Sequence, residues 1–555
     1  MKASVGLFLF GQLCLGYASP TDPPCNNGTN STDSSSLPIS SAGYYNFSNI
    51  RYAAPPVGDL RFAAPQAPKP NRTVQTGQVA RICPVASPVW ESVAAEFVPG
   101  YLLGQKTFND SIFDQPSATT QVQDPTTDED CLFLDVFVPQ KIWDQRKSVK
   151  KFPVMFWIFG GGYTEGSKID YGSPAGILNR SETDSDGVIY VAPNYRLGAF
   201  GWLSGPTFQQ DGGLSNAGLY DQRFALQWVQ KYIHLFGGDP HQVTVFGESA
   251  GGGSIVHHIT AFGGVRNPFK RAIVQSPGFQ PTVSRHQQET IFQNFLKAAN
   301  VTTLAEARQL PYEQLQLANL ITVGASPYGT YTYGPVVDGL IAPSTPGELL
   351  ALGKFDKHLS VMTGQNQDEG LIFTSPLALK DSNDTELRKA LLVSVPTLVG
   401  LPDQVDYILK TLYPPIYDGS QAQSYKDEVG RSAAILSEIG FICNNFYLAK
   451  AYHNRTYSYL FDVFPAVHAL DADYTYYPEF EDTPLTPEQV KVALELQDYI
   501  TSFAITGSPN KKGVPFFQMY GKDAQVQVLE TNDTRVVMDP AANRRCNYWN
   551  SGLWY

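Results

Sequence analysis

The stretch VTVFGESAGGGS, residues 243–254, decides the fold. Its first half is a short run of β-branched and aromatic residues, the composition of a buried strand. The next segment, GSIVHHIT (253–260), reads as a helix. Between them stands Gly247-Glu248-Ser249-Ala250-Gly251, a G-x-S-x-G pattern in strand-to-helix context, which reads as a nucleophile elbow. So tight a turn puts Ser249 in a strained backbone conformation. Small residues two before and two after it keep strand and helix from colliding. The start of the helix then turns its free N–H groups, that of Ala250 first, toward any developing oxyanion.

Working outward, five more segments share that strand composition and are mostly apolar on both faces. They are FPVMFWIF (152–159), GVIYVAPNY (187–195), RAIVQS (271–276), HLSVMTG (358–364) and TYSYLFDVF (456–464). Amphipathic helices lie between. YDQRFALQWVQKYIHLFGG sets Ala225, Val229, Ile233 and Phe236 on one stripe, with Gly237 as the stop. EQVKVALELQDYITSFAITG does the same with Val492, Leu496, Ile500 and Phe503, stopping at Gly507. This alternation predicts an α/β chain with a mainly parallel sheet and helices on both faces. The segments 84–130 and 279–357 break the alternation and are expected to cap the strand ends where a pocket opens.

A second glycine cluster, FWIFGGGYTEG (156–166), follows directly on one strand. No G-K-[ST] comes after it, so a phosphate loop is excluded. Without Cβ atoms the N–H groups of Gly161 and Gly162 can approach a substrate carbonyl and join that of Ala250 in an oxyanion hole.

A serine nucleophile needs a base, and the base an orienting acid. On such a sheet the order is serine, acid, histidine, each on a loop after a strand. Of eight histidines, His234 and His241 precede the serine, and His257 and His258 sit on the helix after it, pointing away. His286 and His358 leave little room for an acid, and His453 ends a helix. His468 follows the strand at 456–464 and is the expected base. For the acid, the loop QNQDEG offers Asp368 and Glu369, with Asp338 as a competitor; spacing does not choose between the pair. Asp471 and Asp473, just beyond the histidine, are expected to face water.

The 555 residues are 43% hydrophobic and 17% charged, with 32 Phe and 30 Tyr to build a core and an aromatic pocket. The net charge of −12 and the lack of a basic run exclude nucleic acid as a partner. The N-terminus, MKASVGLFLFGQLCLGYAS, has a lysine, an apolar core and small residues before a cleavage after Ala18. Residues 1–18 are therefore expected to be a secretory signal peptide. No later apolar run is long enough for a transmembrane segment. Ten N-x-S/T sequons fit export and are the glycosylation candidates: Asn27, Asn30, Asn46, Asn71, Asn109, Asn179, Asn300, Asn383, Asn454 and Asn532. Residues 19–44 read as a loose leader, and 45–555 as one domain. Once Cys14 has left with the signal, five cysteines remain, in an exported chain two disulfides and one left over. No cysteine–histidine spacing suits a metal.

Together these segments resemble the type-B carboxylesterase/lipase family, the cholinesterase-like α/β-hydrolases, secreted fungal members among them. The resemblance runs from about residue 45 onward. It is carried by NIRYAAPPVGDLRF (49–62), EDCLFLDVFVP (129–139), WIFGGGY (157–163), NYRLGAFGWL (194–203), FGGDPHQVTVFGESAGG (236–252), GQNQDEG (364–370) and RRCNYWN (544–550). It implies the α/β-hydrolase fold with cap and lid insertions, and a Ser249–Glu369–His468 triad. It further implies disulfides Cys83–Cys131 and Cys443–Cys546, leaving Cys25 odd. Glu248 would lie close enough to tune the imidazolium of His468, and Ser276 would hydrogen-bond nearby.

One departure narrows the substrate. Members that cleave choline esters carry a tryptophan shortly before the EDCL-type cysteine; here SATTQVQDPTTDED (117–130) has no aromatic residue, and a cation needs π faces. The 83–131 loop, with WESVAAEFVPGYLLG (90–104), is a candidate lid. The expected protein is a secreted serine carboxylesterase or lipase that works through an acyl-enzyme on a small-molecule or lipid ester and needs no cofactor or metal. A dedicated natural-product hydrolase or acyltransferase is the alternative, a non-catalytic binding module a more distant one. The sequence sets no oligomeric state.

Overall fold

The computed structural model describes residues 43–77, 80–279, 284–381, 383–418, 425–478 and 484–552. The expected signal peptide, most of the leader, Cys25, Asn27 and Asn30 lie outside the described residues.

One sheet of ten strands spans the chain: β1 (Tyr44–Arg51), β2 (Phe133–Pro139), β3 (Phe152–Ile158), β4 (Ile189–Pro193), β5 (Gly238–Glu248), β6 (Arg271–Gln275), β7 (Ser360–Asn366), β8 (Tyr457–Phe461), β9 (Gln525–Leu529) and β10 (Arg535–Met538). Their order is β1-β2-β4-β3-β5-β6-β7-β8-β9-β10. From β4 to β9 every pairing is parallel; the outer pairings at both ends are antiparallel. All six strands read from composition are present. The four not read as strands, β1, β2, β9 and β10, lie at the two ends of the sheet. There β1 and β10 are half exposed and so lack the continuous apolar run of a central strand.

Helices cover both faces. We number α1 (Val89–Leu102), α2 (Ala217–Tyr232), α3 (Ala250–Thr260), α4 (Glu428–Ser437) and α5 (Pro487–Thr506). The predicted stripe of α2 is buried at Ala225 and Val229 and continues through a short 3-10 turn to Ile233. Gly237 and Gly507 end their helices in the left-handed conformation that favours glycine (φ 94° and 85°).

The fold places the site through one property of parallel sheets: successive strands end at the same edge. The Gly160–Gly162 loop follows β3, Ser249 follows β5, Ser276 follows β6, Glu369 follows β7 and His468 follows β8. These five strands are neighbours in the sheet, about 4.8 Å apart. Residues over three hundred positions apart in sequence thus share one edge.

Both disulfides implied by the resemblance form, Cys83–Cys131 and Cys443–Cys546. The second closes a loop of 103 residues. In the chain-entropy account, replacing both of its cysteines by serine costs about 4–5 kcal/mol. Thermal unfolding of Cys443→Ser/Cys546→Ser against the native chain measures this; an unchanged midpoint contradicts it.

Candidate active site

Ser249 occupies the elbow between β5 and α3 with φ 55° and ψ −121°. Such a backbone costs about 1–3 kcal/mol and persists only where its surroundings over-determine it. The surroundings here are close. A Cβ added to Gly251 would lie 1.9 Å from the carbonyl oxygen of Ile158, so only glycine lets α3 start against β3. The Ser249 N–H donates to the Gln275 carbonyl (3.1 Å), and its own carbonyl accepts from the N–H groups of Gly253 and Gly278 (2.8 and 2.9 Å).

The structure brings the three expected residues into one line. Ser249 Oγ lies 2.8 Å from His468 Nε2, and His468 Nδ1 lies 2.5 Å from Glu369 Oε2. The other oxygen of Glu369, Oε1, accepts from Ser276 Oγ and from the Asn366 backbone N–H, both at 2.6 Å. An isolated bridge between Asp368 and Val467, with the Asp368 N–H donating to the Ala466 carbonyl (2.8 Å), extends the β7–β8 pairing past the strand ends and sets His468 opposite Glu369. The rivals are engaged otherwise. Asp368 is exposed, and Asp338 accepts from Asn216 and from the backbone of Leu340 and Ala342. His257 and His258 are buried in α3: His258 pairs with Gln222 (2.9 Å), and burial pushes His257 down to about 3.

The Gly161 and Gly162 N–H groups have no acceptor among the described residues. Both residues have positive φ (93° and 56°), and a Cβ on Gly162 would meet the Tyr331 ring at 2.2 Å. Ser249, Gly162 and Ala250 border a cavity of about 80 Å³. Its walls come from Phe279, Ile291 and Tyr331 of the expected 279–357 insertion, and also from Phe373, Leu436 and Phe441. Sequence reading missed this third source, between β7 and β8. The rings of Phe441 and Phe373 sit 4.3 and 5.3 Å from that of His468. The one sequence signal near them is the helix carrying Cys443, which points to a disulfide and not to a pocket wall.

Glu248 is buried beside the line. Its Oε1 is 3.4 Å from His468 Nε2 and makes no hydrogen bond among the described residues. Burial first, then the charges of Asp471, Glu369 and Asp473, raise its carboxyl well above the usual range.

Asp471 corrects an expectation. It does not face water: it is fully buried, its Oδ2 accepting from Tyr459 (2.5 Å) and its Oδ1 from Asn366 Nδ2 (2.9 Å). The chain turns from His468 straight into a short helix, Leu470–Thr475, which carries Asp471 back under the sheet edge. Asp473 is only partly exposed, and burial and the charge of Asp471 push it up to about 7.

The 83–131 loop packs against the body, and contrary to expectation none of its residues is among the described residues that line the cavity. Helix α1 buries Trp90, Val93, Ala94, Phe97 and Val98. Its polar ties run Trp90 Nε1 to the Thr330 carbonyl (2.8 Å) and Tyr101 to Asp427 (2.9 Å).

A serine, imidazole and carboxylate in line at the strand edge of such a sheet, beside two free N–H groups, define the fold as an α/β-hydrolase with the layout for acyl transfer. The chain belongs to the carboxylesterase family, whose sequence model matches residues 32–549. Carboxylesterase patB of Penicillium expansum is 38% identical over 532 residues, covering 92% of each chain. A secreted lipase of Arthroderma benhamiae is 32% identical, covering 72% of this chain and 75% of that one. The crystal structure of EstA from Aspergillus niger superposes with a TM-score of 0.75 at 27% identity, over 92% of this chain and 95% of that one. The protein is a carboxylic ester hydrolase of small-molecule esters.

Proposed function

We propose that the protein is a secreted, glycosylated serine esterase that acts on dissolved, uncharged esters through an acyl-enzyme. The reading is carried by the hydrogen-bonded line Ser249–His468–Glu369 beside the unpaired N–H groups of Gly161 and Gly162. Ser249 Oγ attacks the ester carbonyl while His468 Nε2 takes its proton. Glu369 holds the Nδ1–H tautomer and balances the imidazolium. The N–H groups of Gly161, Gly162 and Ala250 receive the oxyanion, a contribution of about 3–4 kcal/mol per donor. His468 then protonates the leaving alcohol, and water, deprotonated by the same imidazole, releases the acid. No step calls for a cofactor or a metal.

The cavity supports an uncharged substrate, because none of its lining residues carries a charged side chain. Trp90, the tryptophan of the first disulfide loop, is packed among Tyr328, Tyr331 and Phe373 and presents no free face to a choline group. Esterase is favoured over interfacial lipase because no residue of α1 is among the described residues that line the cavity, so Ser249 borders that space without α1 having to open. Export is supported by the two disulfides and the sequons. Asn46, Asn71, Asn109, Asn179, Asn300, Asn383 and Asn532 are exposed and open to glycosylation, Asn454 less so. Residues 45–555 act as one domain in this reading.

A chain-length series of chromogenic esters, acetate to palmitate, with and without an emulsion, tests it. Turnover of the short, dissolved esters with no jump at the interface is the expected result; activity confined to emulsified long chains would reject the esterase reading.

Glu248 has a further expected effect. Burial and the neighbouring carboxylates keep its carboxyl protonated to higher pH than usual, and once ionised, 3.4 Å from His468 Nε2, it favours the imidazolium. Glu248→Gln should therefore move the acid limb of kcat/KM to lower pH and reduce kcat by about tenfold. A pH–rate profile with an unmoved acid limb would count against this coupling.

A further inference from the structure

We infer that Glu91 of α1 is a positioning residue for the oxyanion loop, sharing one proton with Glu165 and so latching the helix to the backbone that carries Gly161 and Gly162. The inference rests on the role proposed above for those two glycines.

The geometry converges on one carboxyl. Glu91 is buried in the first turn of α1, its carboxyl facing that of Glu165, which stands on the loop after β3. Its Oε1 also accepts from the Tyr331 hydroxyl (2.9 Å). These two partners support the two glycines. The Glu165 N–H donates to the Gly161 carbonyl (3.0 Å), and a Cβ on Gly161 would lie 2.4 Å from the Glu165 carbonyl oxygen. The Tyr331 ring covers Gly162 so closely that a Cβ there would overlap it. Each glycine therefore leans on a residue whose side chain is held by Glu91.

Two ionised carboxylates are acceptors only and cannot hydrogen-bond to each other, so the contact requires a proton. Glu91 Oε2 has no hydrogen-bond partner of its own among the described residues, which a proton directed at Glu165 explains. Glu165 Oε2 accepts in addition from Ser87 Oγ (2.5 Å), and Ser87 is itself bonded to Gln121. The charges acting on the pair are acidic: Glu165 on Glu91, and Asp170 on Glu165, while the contact with Glu91 lowers Glu165. Tyr331 faces Glu91, Glu165 and, farther off, Glu248, and its phenol is raised, so it stays neutral. Neither carboxyl has a lysine or arginine partner among the described residues.

Burial raises both carboxyls, Glu91 the more strongly, the charge of Glu165 adding to it. The latch is therefore complete below the ordinary carboxylate range. It is lost as pH rises through the pair's raised ionisation, when two buried carboxylates would repel. Above that raised ionisation α1 and the oxyanion loop should part.

The test compares Glu91→Gln and Glu91→Ala with the native chain. The amide of Glu91→Gln can donate to the Glu165 carboxylate at any pH; alanine cannot. Hydrogen exchange of residues 89–102, corrected for its intrinsic rise with pH, should show protection lost as pH is raised in the native chain and retained in Glu91→Gln. Turnover should fall about tenfold to a hundredfold in Glu91→Ala, mainly in kcat. Glu91→Gln should recover part of it and lack the native decline as pH is raised. Identical exchange profiles for the native chain and Glu91→Gln would overturn the shared proton. A native kcat in Glu91→Ala would overturn the positioning role. Exchange is read without substrate, so it judges the latch even if the catalytic reading of Ser249 fails.

Discussion

Ser249→Ala is expected to lower kcat by about 10⁴-fold or more, with the fold intact and binding little changed. The size of the loss reflects what the hydroxyl does. In the proposed mechanism its oxygen forms the covalent bond, and its proton goes to His468 Nε2, 2.8 Å away. Methyl in its place leaves the oxyanion N–H groups to work on an attacking water alone. The substitution itself is small: the backbone at 249 is held by the Gln275, Gly253 and Gly278 peptide groups, which remain. The measurement is steady-state turnover of a chromogenic acetate, with near-UV circular dichroism to verify the fold and a fluorophosphonate probe to follow labelling. Mass spectrometry should find the probe on Ser249 in the native chain and nowhere in the variant. Wild-type turnover in the alanine variant would reject the mechanism.

Glu369→Gln is expected to cost about 10⁴-fold in kcat although it alters almost no volume. The reason lies in which atoms can turn. Oε1 faces the Asn366 backbone N–H at 2.6 Å, a donor that cannot reverse, as well as the Ser276 hydroxyl. The amide oxygen must therefore stay on that side. This forces the NH₂ group toward His468 Nδ1, which must become an acceptor. The ring proton then sits on Nε2 and points at Ser249 Oγ, so the histidine can no longer receive the serine's proton. A pH–rate profile with some recovery at high pH, and a proton-resonance shift of the His468 ring, would report the tautomer change. A variant within a few-fold of native would remove Glu369 from the triad.

Much of this site is legible in the sequence. Strand, tight turn and helix around Ser249 are written within twelve residues, and the glycines after β3 within four, so local chemistry alone identifies them. The choice of His468 needs only the order of strands along the chain. The acid is different. Asp368 and Glu369 are adjacent and chemically alike, and it is the family resemblance, not spacing, that singles out Glu369. The structure gives a physical ground: the parallel bridge at Asp368 and Val467 turns the Asp368 side chain to solvent and the Glu369 side chain under the imidazole.

Asp471 and Glu91 mark the other side of that division. In sequence, Asp471 looks like a solvated loop acid, and Glu91 is one charged residue within a candidate lid. By itself, the sequence determined the class of fold and pointed to the proposed nucleophile and oxyanion glycines, because each is coded by neighbours in the chain. Only the tertiary structure decided which carboxyls are buried and which donors meet them. Those properties are sums over contacts from β6, β7, β8, α1 and the loop after β3, and no local stretch of sequence contains them.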